Sequence, residues 1–150
     1  MRSTRYHQGA FTCKNPGKYF GKHTPRYRSS WELVFMRMCD DHPGVIGWAS
    51  EGHSIPYRNP FTGKYTHYVP DFLIVYQNKK GEKKMEMVEI KPSSQSSITE
   101  AKSKHDQASV ALNNAKWTAA NEWCRRKGIK FRVVTEKEIF NNYGRGRGKR

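Results

Sequence analysis

Apolar and polar positions fall into blocks along the chain, and the period of each block predicts its secondary structure. Apolar residues between 31 and 38 give one side of a helix, and Ser29 or Ser30 stands where its cap belongs. We expect this helix to run roughly over 30–41 and to stop at His42-Pro43-Gly44, since proline cannot continue it. A second helical pattern of Ala, Leu and Trp covers roughly 99–126 and ends at Gly128.

The segments between and after the helices have the pattern of strands separated by turns. They are short runs of apolar, aromatic and β-branched residues, bounded by Gly, Pro and Asn. Strands are expected at 45–48, 53–57, 65–76, 84–91 and 129–135, with a last helical turn within 136–142. This order of helices and strands predicts an α/β fold, a sandwich built around a mixed β-sheet.

The turn between the strands at 65–76 and 84–91 decides which of their residues face each other. A three-residue hairpin loop favours glycine in its last, left-handed position, and Gly81 occupies that place. Asn78 would then pair with Glu82, and the same register places Asp71 directly opposite Glu89. Lys91 lies two residues beyond Glu89 and therefore shares its face of the strand.

This register brings together side chains that can carry out metal-assisted hydrolysis. Two facing carboxylates, Asp71 and Glu89, repel each other unless a cation neutralises them, and their hard oxygens favour Mg²⁺, with Mn²⁺ as a substitute. Such an ion would polarise a phosphate and acidify a bound water, while Lys91 would orient that water or stabilise the transition state. The alternative is an exposed hairpin with an ordinary cross-strand ion pair.

The charge of the chain indicates a polyanionic partner. The 150 residues carry a net charge of +15, and residues 1–28 contain seven Lys or Arg and no acid. Residues 143–150 add four more bases, again without an acid. Basic ends on a nearly neutral middle favour binding to nucleic acid. We therefore expect a basic N-terminal arm at 1–28, one catalytic domain at 29–142 and a basic tail at 143–150.

Several other function classes find no support in the sequence. Cys13, Cys39 and Cys124 are far apart and form no CxxC pair, which argues against a structural zinc site or a disulfide framework. No apolar run is long enough for a membrane span, and the first residues lack the apolar core of a secretion signal. A GxxxxGK loop and a nucleophilic Ser or Cys with its His are also absent. An intracellular protein without membrane contact is expected.

Pro70-Asp71 followed by Glu89-Ile90-Lys91 resembles the PD-(D/E)xK nuclease motif. Further segments resemble the transposase endonuclease subunits of this superfamily and, more strongly, the head completion nucleases of tailed phages. They lie at 27–32, 48–51, 55–57, 68–72 and 114–120, followed by Trp123 and Cys124. The resemblance to the head completion nucleases extends from about 15 to 131.

The resemblance implies a restriction-endonuclease-like sandwich with helices flanking the sheet. It also implies a metal-dependent DNA nuclease of low sequence specificity that trims packaged DNA during head completion and head–tail joining. The partners would be double-stranded DNA and the portal or neck proteins, in the host cytoplasm during assembly or in the virion. The alternative is a structural head–tail joining or DNA-binding protein without essential cleavage. Endonuclease and exonuclease activity both stay open.

The resemblance also suggests residues beyond the central motif. Glu32 is expected as a third catalytic carboxylate and metal ligand, although Ser29-x-x-Glu32 is equally a helix-capping box. Glu51 is a weaker candidate, since most glutamates at strand ends are surface residues. The candidates for contacts to DNA phosphates are Arg26, Arg28, Lys116, Arg145 and Arg147, with Asn113 beside Lys116 on the second helix.

Overall fold

The structure, a computed structural model, describes residues 8–92 and 104–138. Its strands are β1 Gly9–Ala10, β2 Arg26–Tyr27, β3 Val45–Ser50, β4 Ile55–Arg58, β5 Tyr65–Tyr68, β6 Phe72–Gln77, β7 Lys83–Ile90 and β8 Lys130–Val134. Its helices are α1 Ser30–Asp41, α2 Lys104–Arg126 and the short α3 Glu136–Glu138, with a 3₁₀ turn at Pro16–Lys18. No helix in this part of the chain is long and apolar enough to cross a membrane.

Four strands form the central sheet in the order β3-β6-β7-β8. The first three are antiparallel neighbours, while β8 runs parallel to β7 and is reached through α2. Two small antiparallel pairs, β1 with β2 and β4 with β5, stand outside this sheet. The expected mixed sheet is therefore confirmed.

The two faces of the central sheet build two separate cores, because successive residues of a strand point to opposite sides. Phe72 and Val88 pack with Phe35 of α1 on one face. Leu73 and Met87 pack on the other face against α2 and the β4–β5 pair. Helices thus cover both faces, and the restriction-endonuclease-like sandwich that the resemblance implied is confirmed.

The single long strand expected at 65–76 is wrong. The chain divides it into β5, which pairs with β4, and β6, which enters the central sheet. The break falls at Val69-Pro70-Asp71, where proline has no N–H to donate to a continuing ladder. As a result Tyr68 ends a strand of the small sheet, Asp71 lies just before β6 of the central sheet, and the two residues still lie near each other at the break.

The hairpin between β6 and β7 has the expected register. Gly81 adopts a φ of 83°, in the left-handed region, and the N–H of Asn78 donates to the carbonyl of Glu82 at 3.0 Å. The ladder then pairs Gln77 with Lys83 and continues to Phe72 with Val88. Asp71 is one residue beyond the end of this ladder, opposite Glu89.

The N-terminal segment from residue 8 packs on the domain, although an extended arm was expected there. The buried Asp40 carboxylate at the end of α1 accepts the backbone N–H of Lys14 at 2.7 Å and of Asn15 at 3.0 Å. The Lys18 ammonium donates to the carbonyls of Asp40 and His42, where a helix end favours positive charge. Part of the basic charge therefore stabilises the fold. The domain boundaries themselves stay predictions, and residues 1–7 and the tail at 143–150 lie outside the described residues.

Candidate active site

The candidate site lies at the end of the hairpin where β6 begins and β7 ends. The Asp71 carboxylate oxygen Oδ2 accepts the backbone N–H of Ile90 at 2.8 Å. Glu89 is only 4% exposed, and the register brings it opposite Asp71 on the sheet face covered by α2. The two carboxylates predicted to face each other thus meet where the Asp71 side chain accepts the N–H of the residue after Glu89.

Glu89 is held from two sides by other side chains. Its Oε1 accepts the Tyr68 hydroxyl at 2.8 Å, and its Oε2 lies 3.7 Å from the Lys91 ammonium. The Lys91 side chain is 29% exposed while that of Glu89 is 6% exposed, so the lysine connects the buried acid to the surface. Lys91 also donates its backbone N–H to the carbonyl of Val134, which ties the end of β7 to β8.

Burial and neighbouring charges shift the pKa values of the two carboxyl groups. Burial raises the pKa of Asp71 well above its usual range, and the charges of Glu89 and Glu32 raise it further. Burial also raises the pKa of Glu89, against the opposing effects of the Tyr68 hydrogen bond and the Lys91 charge. In the absence of a cation the pair favours holding protons.

A second lysine approaches the same carboxylate from helix α2. The Lys116 ammonium lies 5.7 Å from the ring centre of Tyr68 and 6.0 Å from that of Tyr57. Burial lowers the pKa of Lys116, and repulsion from Lys91 lowers it further, while Glu89 acts in the opposite direction. Two cations from separate elements therefore converge on Glu89.

Glu32 takes part in the hydrogen bonds at the start of α1, and its role as a metal ligand stays a prediction. Its backbone N–H donates to Ser29 Oγ at 3.2 Å, so Ser29 caps α1 as expected. Its carboxylate accepts the backbone N–H of Arg28 at 2.9 Å, and its charge still reaches Asp71. Glu32 is thus an electrostatic neighbour of the site.

Arg28 and Glu51 form an ion pair at the margin of the site. Glu51 is the only residue other than glycine with a positive φ, 49°, among the described residues, which is a costly conformation for a residue with a side chain. Its backbone N–H donates to the carbonyl of Asp71 at 2.8 Å. The end of β3 therefore supports the backbone of Asp71 and holds the guanidinium of Arg28.

Two carboxylates are the kind of ligand that a hard divalent cation such as Mg²⁺ prefers, and Asp71 and Glu89 are the residues that could hold one. The charge of Glu89 raises the pKa of Asp71, and a cation would relieve this repulsion. Over residues 8–92 and 104–138, no three His, Cys, Asp or Glu side chains form a metal-binding cluster. The geometry therefore supports the pair and does not add Glu32 as a direct third ligand.

Comparison with known proteins decides the family. The family model described as "TnsA-like endonuclease N terminal" matches residues 42–136. The chain is also 31% identical over 141 residues to the head completion nuclease of Enterobacteria phage T4, an alignment that covers 87% of this chain and 91% of the relative. The chain belongs to the head completion nuclease family. The resemblance to PD-(D/E)xK nucleases is thereby confirmed.

The family match places most of the site in a shared region. In this member of the head completion nuclease family, Asp71, Glu89, Lys91 and Lys116 fall within residues 42–136, whereas Glu32 precedes the matched range. The catalytic roles of these residues stay predictions. Tyr68 is the neighbour of Glu89 that the sequence did not indicate, because a tyrosine at a strand end more often fills a core.

The candidates for phosphate contacts are not all near the site. Arg28 and Lys116 border it, and Arg26 is exposed on β2. Asn113 is buried in α2 with 4% exposure, which leaves it little access to DNA. Arg145 and Arg147 lie outside the described residues.

Proposed function

We propose that this protein is a Mg²⁺-dependent DNA nuclease of low sequence specificity that acts in phage head completion. The observation that carries the proposal is the meeting of Asp71, Glu89 and Lys91 at one end of the β6–β7 hairpin. Membership of the head completion nuclease family supports it, together with the net charge of +15. We further propose that Mn²⁺ substitutes for Mg²⁺.

Asp71 and Glu89 would hold the ion, and hydrogen bonds from neighbouring groups orient both carboxylates. The Ile90 N–H keeps Asp71 Oδ2 in place, and Tyr68 keeps Glu89 Oε1 in place. When bound, Mg²⁺ supplies Lewis-acid polarisation of the scissile phosphate and a more acidic water. Glu32 contributes negative charge beside Asp71 and thereby strengthens attraction of the cation.

Lys91 is the residue best placed to act on the reacting groups. Its ammonium lies 3.7 Å from Glu89 and is partly exposed, so it can approach a phosphate or an attacking water next to the carboxylates. A fixed positive charge at that point stabilises the negative charge that develops in the transition state. Lys116 would add a second positive charge from α2 and bind a phosphate of the substrate.

Positive charge outside the site would hold the duplex. Arg26 and Arg28 on the surface before α1, with the basic tail that contains Arg145 and Arg147, would contact phosphates without reading bases. Such contacts fit a nuclease that trims packaged DNA. We propose that the protein does so in the host cytoplasm during assembly, next to the portal or neck proteins and within the forming virion.

A matched pair of lysine variants tests the proposal. Lys91→Ala should lower cleavage of plasmid DNA in Mg²⁺ by about 10³-fold, because a charge that stabilises the transition state is worth several kcal/mol. Lys84→Ala is the control. Lys84 lies on β7 with its ammonium 3.6 Å from Glu82, and it is exposed and far from Asp71. This variant should cleave DNA like the wild type.

The outcomes separate the enzyme from a structural protein. A wild type that leaves DNA intact in both Mg²⁺ and Mn²⁺ would contradict the proposal. If the protein has only a structural role in head–tail joining, phage that carry Lys91→Ala should still complete their heads in an infection assay. If the protein acts as a nuclease, they should not.

A further inference from the structure

Two tyrosine–glutamate hydrogen bonds occur on the central sheet and its margin. The Tyr68 hydroxyl donates to Glu89 Oε1 at 2.8 Å, and the Tyr76 hydroxyl donates to Glu86 Oε2 at 3.0 Å. Each glutamate also has one basic partner, Lys91 for Glu89 and Arg132 for Glu86. The two pairs are chemically alike, but only the first includes a candidate metal ligand.

The ring of Tyr68 is buried in the second of the two cores. Tyr68 is 6% exposed and belongs to the core between the β4–β5 pair and α2. Its backbone pairs with Ile55 across the small sheet, and the Lys116 ammonium lies 5.7 Å from its ring centre. A phenylalanine would fill the same core volume, so packing alone does not require the hydroxyl.

The chain break at Val69-Pro70 brings this tyrosine to the site. Had β5 and β6 formed one continuous strand, Tyr68 would extend the central ladder beyond Asp71. Because the break lets β5 leave the sheet, Tyr68 instead reaches Glu89 from the β4–β5 pair. A carboxylate that is 4% exposed needs such a donor to hold a single orientation.

We propose that Tyr68 is a positioning residue that orients Glu89 for the metal ion, an inference that rests on the proposed nuclease function. The hydroxyl donates to Oε1 and thereby fixes the rotation of the carboxylate, so that Oε2 stays beside Lys91 and would be available to bind the ion. Donors that orient a metal-binding carboxylate typically change metal affinity 10- to 100-fold when they are removed.

The test compares Tyr68→Phe with Tyr76→Phe in the full-length protein. Mn²⁺ binding is followed by the loss of the electron paramagnetic resonance signal of the free ion, without DNA and without turnover. Tyr68→Phe should weaken Mn²⁺ binding by about tenfold. The Mg²⁺ concentration that gives half-maximal DNA cleavage should rise by a similar factor. Cleavage at saturating Mg²⁺ should fall much less. Tyr76→Phe should change neither quantity.

A third variant distinguishes the loss of the hydrogen bond from a loss of folding. Replacement of Tyr68 by 4-aminophenylalanine keeps the ring and one hydrogen-bond donor, so it should restore Mn²⁺ binding to within about threefold of the wild type. Thermal unfolding of all variants measures any structural cost.

The possible results bear on the two proposals separately. If the wild type binds Mn²⁺ and cleaves DNA while Tyr68→Phe matches Tyr76→Phe, the positioning role is refuted and the nuclease function stands. An equal fall in Mn²⁺ binding for both variants would also refute it, since it would indicate a general effect on the sheet. A wild type that neither binds Mn²⁺ nor cleaves DNA overturns both proposals.

Discussion

Asp71 accepts the backbone N–H of Ile90 at 2.8 Å, so the carboxylate just before one strand is hydrogen-bonded to the residue that follows Glu89 on the next. This bond occupies one oxygen of Asp71 and holds it beside Glu89, although burial and the charge of Glu89 both disfavour ionisation of Asp71. The site therefore keeps two carboxylates together at a cost to stability that a cation would remove.

Asp71→Asn should stabilise the metal-free protein and abolish cleavage. Asparagine keeps an oxygen for the Ile90 N–H but removes the charge that burial and Glu89 disfavour. We expect a higher midpoint of thermal unfolding without Mg²⁺, no further rise when Mg²⁺ is added, and cleavage reduced by about 10³-fold. Calorimetry and a plasmid assay check this, and a lower midpoint in the absence of metal would contradict the electrostatic argument.

The metal-free protein should gain stability from this pair as the pH falls. Asp71 and Glu89 have pKa values raised above those of the unfolded chain, so the folded state binds more protons. Their contribution is complete below the unfolded pKa of about 4 and is lost as the pH rises through the raised values. The quantity to measure is the difference in unfolding free energy between the wild type and Asp71→Asn across this range.

That difference isolates Asp71, because Glu89 and the other carboxylates are present in both proteins. Glu82 and Glu122 have lowered pKa values, owing first to side-chain hydrogen bonds with Asn78 and Arg125, and so act in the opposite direction in both proteins. The wild type should approach the stability of Asp71→Asn as the pH is lowered. A pH-independent difference would show that Asp71 does not titrate above the usual range of a carboxyl group.

Arg28 should contribute one contact to a DNA phosphate, and Glu51 should compete with the phosphate for the Arg28 guanidinium. The two side chains form an ion pair beside the site, and both are at the surface. Arg28→Ala should reduce the slope of log affinity for duplex DNA against log salt by about 0.9. Glu51→Ala frees the guanidinium and should leave the slope the same or steeper. Fluorescence anisotropy at several salt concentrations measures both, and a flatter slope for Glu51→Ala would exclude this competition.

Asp40 should stabilise the packing of the N-terminal segment. It is 2% exposed and accepts two backbone N–H groups, from Lys14 and Asn15. Asp40→Ala leaves both donors without their acceptor and should cost about 2–4 kcal/mol. The neighbouring Asp41→Ala is the control and should cost less than about 1 kcal/mol, since within residues 8–92 and 104–138 the Asp41 carboxylate forms only an exposed ion pair with Lys14 at 3.7 Å. Chemical denaturation and limited proteolysis of the N-terminal segment distinguish the two variants.

Gly81→Ala should weaken the hairpin that aligns the site. The φ of 83° at this position is unfavourable for alanine, so we expect a loss of about 1 kcal/mol. Gly17→Ala serves as the control, because an added Cβ would meet no atom within 4 Å and the backbone there is not left-handed. If both variants unfold at the same denaturant concentration, the turn does not depend on its glycine as proposed.

The sequence alone determined the part of the site that depends on local chemistry. The glycine of the β6–β7 turn sets the register of the two strands, and side chains along a strand alternate between its faces. These two facts are why the sequence predicts that Asp71, Glu89 and Lys91 lie together. The cap of α1 at Ser29 is likewise a matter of a few neighbouring residues.

Only the tertiary structure decided which distant residues surround that register. Three features depend on residues that are far apart in sequence. They are the contact of Tyr68 with Glu89 after the break at Pro70, the approach of Lys116 from α2, and the packing of the N-terminal segment on Asp40. Such contacts follow from how sheets and helices pack, which periodicity does not encode. Residue types specify the chemistry of the metal-binding pair, and packing specifies the groups that orient it.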